Sequence, residues 1–114
     1  MGLSPTLWGP YAWATMHLFA AGAPSTLTDD DRRRYAAFFN AMASVLPCQK
    51  CSQHFAAILV ESPIHAGSRE ELEMWLIDVH NRVRRELGQE EMARDVARAH
   101  WAAQSGPATV LLRA

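Results

Sequence analysis

Apolar residues recur three or four positions apart through most of this chain, in segments that short polar clusters separate. This spacing places the apolar side chains of each segment on one face of a helix, and no segment keeps the strict alternation of a half-buried strand for long. Each apolar face can be buried only against another, and the connections are short, so a small antiparallel bundle is favoured. We therefore predict an all-α fold.

Capping residues and helix breakers set the bounds of five predicted helices. Thr28 with Asp31, and Ser68 with Glu71, have the three-residue spacing of capping boxes. Pro47 ends the second helix and suits the first position of the third. The predicted helices span about residues 7–21, 28–46, 48–61, 68–87 and 90–102.

Length and composition predict one domain. The chain has 114 residues, of which 49% are hydrophobic, and a chain of this size can bury about two-thirds of its unfolded surface in one core. We expect a single domain over residues 1–114, with its core over about 8–102 and an irregular tail over 103–114.

Charge and hydropathy argue against two classes of partner. Eleven Lys and Arg residues oppose twelve Asp and Glu residues, and no block of like charges could bind nucleic acid through its phosphates. No apolar run approaches the roughly 20 residues that span a bilayer, and the N-terminal stretch lacks the basic and then apolar layout of a signal peptide. We expect no nucleic-acid partner and no membrane span. These features favour a cytoplasmic location, but the sequence does not fix the compartment.

Both cysteines of the chain lie in the stretch LPCQKCSQHF, three positions apart and directly after a proline. At the start of a helix, unpaired backbone N–H groups and the helix dipole stabilise a thiolate, so a cysteine there is a nucleophile near neutral pH. Residues three apart also share a helix face, which would allow Cys48 and Cys51 to form an exchangeable disulfide. The pattern favours a redox pair.

Two other interpretations of these cysteines stay open from the residues alone. A zinc site could use Cys48, Cys51 and His54, although a second CxxC and paired histidines at finger spacing are missing. Either His65 or His80 would then be the fourth ligand, and the chain would be a non-enzymatic zinc-binding or helical interaction module. The cysteines could also be two buried side chains that pack as small apolar residues.

Aromatic and imidazole side chains occur at helical spacing on both sides of the cysteine pair. Trp13 and His17 are four positions apart. His80 and Arg84 have the same spacing, with Asn81 beside them. Each residue alone is more often part of a core or of a solvated face, but together they outline a slot for a planar cofactor that carries phosphate. The rings would stack on the cofactor, and the amide and guanidinium groups would hydrogen-bond to it.

The chain resembles the flavin-linked sulfhydryl oxidases of the Erv/ALR family in four segments: WGPYAWATMH, LPCQKCSQHF, WLIDVHNRVRRELG and a tryptophan in the last helix. The likeness covers nearly the whole chain, from about Trp8 to Trp101, and is to the minimal single-domain form of the family. It implies a bundle of four helices plus a short fifth helix, FAD at one end of the bundle, and a homodimer. Apolar residues of the first two helices fit such an interface, namely Trp8, Phe38, Phe39 and Met42.

The resemblance also implies an activity and a set of site residues. Similar proteins oxidise dithiols, in small molecules or in proteins, through the CxxC pair and pass the electrons through FAD to O2, giving H2O2. Cys48, nearest the helix start, is expected to exchange with substrate, and the family pattern places Cys51 against the flavin. The positions implied to bind FAD are Gly9, Trp13, His17, Cys51, His54, His80, Asn81, Val83 and Trp101.

Two positions depart from the family pattern. Where the family usually reads HNxVN, this chain reads HNRVR, so Arg84 replaces an asparagine that helps to hold the adenosine half of FAD. Arg84 could pair with the pyrophosphate instead, or the affinity for FAD could be lower. Pro10 stands where several relatives have a basic residue.

Overall fold

The structure is a computed structural model, and it describes residues 2–104. Within those residues the chain forms five α-helices and no β-strand, and one isolated bridge pairs Thr26 with Ser68. The helices are α1 Pro5–Ala21, α2 Asp29–Ser44, α3 Gln49–Glu61, α4 Arg69–Glu86 and α5 Arg94–Gln104. The prediction of an all-α fold is confirmed.

Four helices share the core, and the fifth adds little to it. α1 packs against α4, α2 packs against α3, and α5 contacts both α4 and α1. In α5 the buried residue is Ala97. The largest fully buried side chains come from α1 to α4 and are Met16, Phe39, Ile58, Leu72, Leu76 and Ile77. This arrangement matches the expected bundle of four helices plus a short fifth.

Phe39 belongs to this core, so its predicted place in a dimer interface is wrong. Its side chain is 1% exposed, and its ring packs edge-on against Trp75 with the centroids 5.1 Å apart. Phe38 and Met42 are partly buried and pack against the same core. The second helix therefore uses its apolar face inside the domain.

Both predicted helix N-caps are present, but only one capping box is complete. Thr28 accepts from the Asp31 N–H at 3.1 Å, and the Asp31 carboxylate accepts from the Thr28 N–H at 3.0 Å. Ser68 likewise accepts from the Glu71 N–H at 3.2 Å. The Glu71 carboxylate, however, accepts from the N–H of Gly67 at 2.7 Å, so the predicted return bond to Ser68 is replaced.

α5 begins four residues later than predicted because the side chain of Asn81 holds the preceding loop. The amide of Asn81 donates to the Met92 carbonyl at 2.8 Å and accepts from the Met92 N–H at 2.9 Å. Both backbone groups of Met92 are therefore hydrogen-bonded to a side chain of α4, which holds Met92 outside α5. α5 then continues to Gln104, so residues 103 and 104 of the predicted tail are helical. The remainder of that tail lies outside the described residues.

Candidate active site

The two cysteines lie at the N-terminus of α3. Cys48 is the N-cap residue, and its Sγ accepts a hydrogen bond from the Cys51 N–H at 3.4 Å. Pro47 therefore precedes the N-cap, and its predicted position as the first helical residue is wrong. The physical reason is that the cysteine sulfur itself caps the helix and needs the extended backbone of an N-cap, with φ −155° and ψ 115°. Both cysteines are half-buried free thiols.

The two thiols differ in acidity. Hydrogen bonds from Cys51, first from its thiol and then from its backbone N–H, lower the pKa of Cys48. Burial raises the pKa of Cys51 to about 11, and the hydrogen bond to Cys48 and the charge of the Cys48 thiolate add to this effect. In the reduced pair the thiolate therefore lies on Cys48, at the helix end.

Four rings from three helices form a second cluster, which we call the ring cluster: Trp13 and His17 of α1, His80 of α4 and Trp101 of α5. Trp13 stacks on His80 with the ring centroids 3.8 Å apart and the planes 6° from parallel. His17 stacks on Trp101 at 4.8 Å and 9°. The two stacks are joined by a hydrogen bond between His17 Nε2 and His80 Nδ1, which are 2.8 Å apart. All four are predicted cofactor-binding residues, and the structure brings them into direct contact.

The two histidines of the ring cluster are buried and uncharged. Burial, followed by the positive charges of Arg84 and His100, lowers the pKa of His17 to about 4. Burial, followed by the charges of Arg84 and His17, lowers the pKa of His80 to about 3. At neutral pH one imidazole therefore donates to the other, and the ring cluster presents four uncharged planar rings.

We expect this histidine pair to make the stability of the fold depend on pH. Each imidazole has an ordinary pKa of 6.5 and a lowered pKa in the folded chain, so the unfolded chain binds protons first as the pH falls. The contribution of the pair to the free energy of unfolding is present above about pH 6.5 and is lost towards pH 4, by at most about 1.4 kcal/mol per pH unit for each histidine. His80→Gln should make this slope shallower in urea unfolding at a series of pH values.

His65 provides the matched control for this experiment. Its side chain is exposed and lies outside the ring cluster, so His65→Gln removes an imidazole without removing a buried one. The prediction is contradicted if His80→Gln and His65→Gln have the same slope as the parent chain between pH 6.5 and 4.

Phe55 links the cysteines to the ring cluster. Its buried ring packs edge-on against Trp13, with the centroids 5.7 Å apart and the planes at 67°. Cys51 lies four positions before Phe55 on α3, so the two side chains share a helix face. Phe55 is not among the predicted site residues, although its spacing from Cys51 is the signal that identifies it. The thiol pair and the ring cluster therefore form one site.

Arg84 and Asn81 lie next to the ring cluster on α4. Arg84 Nη1 donates to Asn81 Oδ1 at 3.0 Å, and burial lowers the pKa of Arg84. The charge of Arg84 reaches both cluster histidines, since it lowers the pKa of each. The amide of Asn81 is already engaged by the loop before α5. Arg84 is therefore a cation next to both cluster histidines. Val83 is half-buried and packs against the core.

Two other predicted residues make no ring contact or hydrogen bond with the ring cluster within the described chain. His54 is exposed, and its Nε2 pairs with the carboxylate of Glu86, a contact that lowers the pKa of Glu86. Gly9 lies one turn before Trp13 in α1, and no atom of a neighbouring element comes within 4 Å of where its Cβ would be. α1 therefore leaves open space at Gly9. Cofactor binding by these two residues stays a prediction.

His100, which is not among the predicted site residues, lies at the edge of the site. Its ring meets Trp101 edge-on at 4.7 Å, and its charge contributes to the lowered pKa of His17. The sequence signal for His100 is its position directly before Trp101, a predicted cofactor-binding residue.

The arrangement does not favour the zinc interpretation. Across residues 2–104, no group of three or more His, Cys, Asp or Glu residues is placed to hold a metal ion. Of the two candidate fourth ligands, His80 is hydrogen-bonded to His17 inside the ring cluster. His65 lies instead in a surface groove beside Trp75 and Asp78.

Comparison with known proteins places this site in a family. The family model described as "Erv1 / Alr family" matches residues 10–103. The chain belongs to the Erv1/Alr family. The match includes the cysteine pair and every residue of the ring cluster.

Relatives of this Erv1/Alr chain come from a virus and from plants. The chain is 43% identical over 82 residues to a probable FAD-linked sulfhydryl oxidase of Acanthamoeba polyphaga mimivirus, with 69% of this chain and 57% of the relative covered. It is 33% identical over 93 residues to the FAD-linked sulfhydryl oxidase ERV1 of Arabidopsis thaliana, with 82% and 49% covered. The chain thus spans about half the length of these relatives.

Solved Erv1 structures share the fold. The FAD binding domain of Erv1 from Saccharomyces cerevisiae superposes with a TM-score of 0.84 at 25% identity, and the match covers 91% of this chain and 99% of that domain. The yeast Erv1 core superposes with a TM-score of 0.82 at 26% identity, over 89% and 86% of the two chains. In the described part of this Erv1/Alr chain, no helix has the length and apolar character needed to cross a membrane.

Proposed function

We propose that the chain is an FAD-dependent sulfhydryl oxidase, which converts dithiols to disulfides through Cys48 and Cys51 and passes the electrons to O2, giving H2O2. The observation that carries this proposal is the position of Cys51 one turn before Phe55, whose ring contacts the ring cluster. A redox pair therefore lies beside a set of stacked planar rings. The relatives named FAD-linked sulfhydryl oxidases support the same activity.

The residues of the site fit FAD. Four uncharged planar rings suit stacking on the flavin and adenine rings, and Arg84 supplies a cation for the pyrophosphate. The open space at Gly9 leaves room along α1. When bound, FAD supplies the two-electron acceptor that restores the disulfide and passes the electrons to O2. We assign its binding to Gly9, Trp13, His17, Cys51, His54, His80, Asn81, Val83, Arg84 and Trp101.

The cysteine pair carries the exchange with substrate in two steps. A substrate thiolate attacks Sγ of Cys48 in the oxidised pair, the bond between Cys48 and Cys51 breaks, and the Cys51 sulfur leaves with the electron pair. A second substrate thiolate then attacks the substrate sulfur of this mixed disulfide, which releases the substrate disulfide and the Cys48 thiolate. The substrate is thereby oxidised by two electrons, which remain on the two cysteine sulfurs.

The acidities of the two thiols favour this order of events. A more acidic thiol is a better leaving group, so the lowered pKa of Cys48 speeds the release of substrate disulfide. Two of the causes that raise the pKa of Cys51 need a Cys48 thiolate or thiol. Neither acts while Cys48 is held in the mixed disulfide, so burial alone then raises the pKa of Cys51.

Visible absorbance of the purified chain tests the proposal. The oxidase should be yellow or become so when FAD is supplied, and should consume O2 with dithiothreitol. A chain that binds no flavin even with FAD supplied, but retains zinc, would establish the alternative of a zinc-binding module. The two outcomes are distinguished by one absorbance spectrum and one metal analysis.

We also propose that the chain forms a homodimer through α1. Leu7, Tyr11 and Leu18 recur at positions i, i+4 and i+11 of α1, and their exposed fractions are 62%, 76% and 38%. Side chains at this spacing lie along one helix face, and an exposed apolar stripe on a small domain is typical of an interface. An isologous contact would bury the stripe against its own copy.

Tyr11→Lys should convert the dimer to a monomer, because it places a charge in the middle of the buried stripe. Light scattering at micromolar concentration measures the change. Val60→Lys is the matched control, since Val60 is 81% exposed and lies on α3, and this variant should remain dimeric. A parent chain that is monomeric at every concentration would contradict the proposal.

A further inference from the structure

Gly2 and Leu3 form a strap across the loop that leads into Cys48. The N–H of Leu3 donates to the Pro47 carbonyl at 2.7 Å. The carbonyl of Leu3 accepts from the indole N–H of Trp8 at 2.9 Å. The strap, defined as residues 2–3, is therefore held on one side by the loop and on the other by α1.

Gly2 lies so close to this loop that a larger residue would not fit without a shift. A Cβ on Gly2 would be 2.6 Å from the Pro47 carbonyl oxygen and 3.0 Å from the Cα of Cys48. Both are backbone atoms, which cannot rotate away as a side chain would. The strap thus covers one side of the Cys48 backbone.

The strap also occupies a backbone group that a substrate would otherwise use. An extended peptide that lies beside a reactive cysteine gains affinity through main-chain hydrogen bonds. The Pro47 carbonyl is the acceptor directly before Cys48, and the N–H of Leu3 already occupies one of its two lone pairs. A bulky partner therefore meets both a steric barrier and a partly occupied acceptor on this side.

We propose that the strap determines which thiols reach Cys48. Small dithiols and thiols on loose chain segments approach Sγ from the side that the strap leaves open, and thiols fixed on a bulky surface are excluded. This specificity rests on the proposed function, in which Cys48 is the cysteine that exchanges with substrate. The strap acts on the approach of the thiol and leaves the exchange chemistry unchanged.

Alkylation of Cys48 in the Cys51→Ser chain tests the strap, because Cys48 is then the one thiol of the chain. The rates are measured with N-ethylmaleimide and with a maleimide attached by a short linker to a folded carrier protein. Gly2→Val should displace the strap and raise the rate with the bulky reagent by roughly fivefold, the factor expected for one net backbone hydrogen bond. The rate with N-ethylmaleimide should stay the same. Trp8→Phe, which removes the indole N–H and keeps a ring, should act in the same direction.

Gly22→Ala is the matched glycine control. The nearest atom to a Cβ on Gly22 is 3.5 Å away, an ordinary contact, so neither rate should change. The proposal is overturned if the rate with the bulky reagent rises in neither Gly2→Val nor Trp8→Phe. It is also overturned if both rates change equally, because the strap would then act on thiolate reactivity. Alkylation needs neither flavin nor dithiol oxidation, so failure of the oxidase proposal would leave this result interpretable.

Discussion

Replacing either Cys48 or Cys51 with serine should abolish dithiol oxidation. Neither variant can form the disulfide that takes two electrons from the substrate, so turnover with dithiothreitol should fall by roughly a thousandfold or more. Oxygen consumption measures the loss. Gln53→Ala, an exposed change on the same helix, is the control and should keep its turnover.

The two variants should differ in the properties of the thiol that remains. Cys51→Ser retains Cys48 at the helix end, which should react with thiol reagents near neutral pH. Cys48→Ser retains Cys51. Burial raises the pKa of this thiol, and its side chain lies on the same face of α3 as Phe55. With FAD bound, the Cys51 thiolate should give a broad long-wavelength absorbance band that strengthens as the pH rises and fades in acid. Cys51→Ser should show no such band.

A band that appears only in Cys51→Ser would reverse the roles of the two cysteines. Dithiol oxidation at the parent rate in either serine variant would remove the pair from the chemistry altogether. Both results are read from the same two proteins.

Trp13→Ala should weaken the retention of FAD by roughly a hundredfold, because an indole that stacks on the cofactor contributes about 3 kcal/mol of apolar contact and stacking. Trp13 contacts three other rings: it stacks on His80, and it also meets His17 and Phe55. Its removal therefore opens both the ring cluster and its link to α3. Fluorescence of released FAD on dilution measures the dissociation constant.

Two further variants separate the loss of a stacking ring from general destabilisation. Trp13→Phe keeps an aromatic face and should retain most of the affinity. Trp75→Phe changes a tryptophan that packs on Phe39, away from the ring cluster, and should leave FAD retention unchanged even if it lowers the melting temperature. Equal FAD retention by Trp13→Ala and the parent chain, at equal helix content, would contradict the placement of FAD against these rings.

The features that depend on short-range sequence could be predicted. Apolar spacing identifies the five helices, and Thr28 with Asp31 identifies one N-terminus, because each signal acts within one or two helical turns. The position of the thiol pair at the start of α3 could be predicted in the same way, from residues within one helical turn. Three members of the ring cluster, Trp13, His17 and His80, were also identified from helical spacing, because residues at that spacing share a face before any tertiary contact is known. The fourth, Trp101, was identified from the resemblance to the Erv/ALR family.

The features that depend on long-range side-chain contacts could not be predicted. The late start of α5 results from one amide, Asn81, bound to a backbone 11 positions away. The pairing of His54 with Glu86 joins residues 32 positions apart. The strap depends on a close approach of Gly2 to Pro47, which only the packing of the N-terminal residues reveals. No periodic pattern in the sequence encodes any of these contacts.

An anaerobic titration with dithiothreitol most directly tests whether electrons pass from Cys48 and Cys51 to FAD. The oxidised, FAD-loaded chain should accept about two equivalents of dithiothreitol per chain, one for the disulfide and one for FAD. The Cys51→Ser chain has no disulfide through which electrons can reach FAD, so it should accept none. Uptake of a single equivalent by the parent chain, with its disulfide formed and one FAD bound, would show that the pair and the cofactor are not connected and would contradict the assignment of this site.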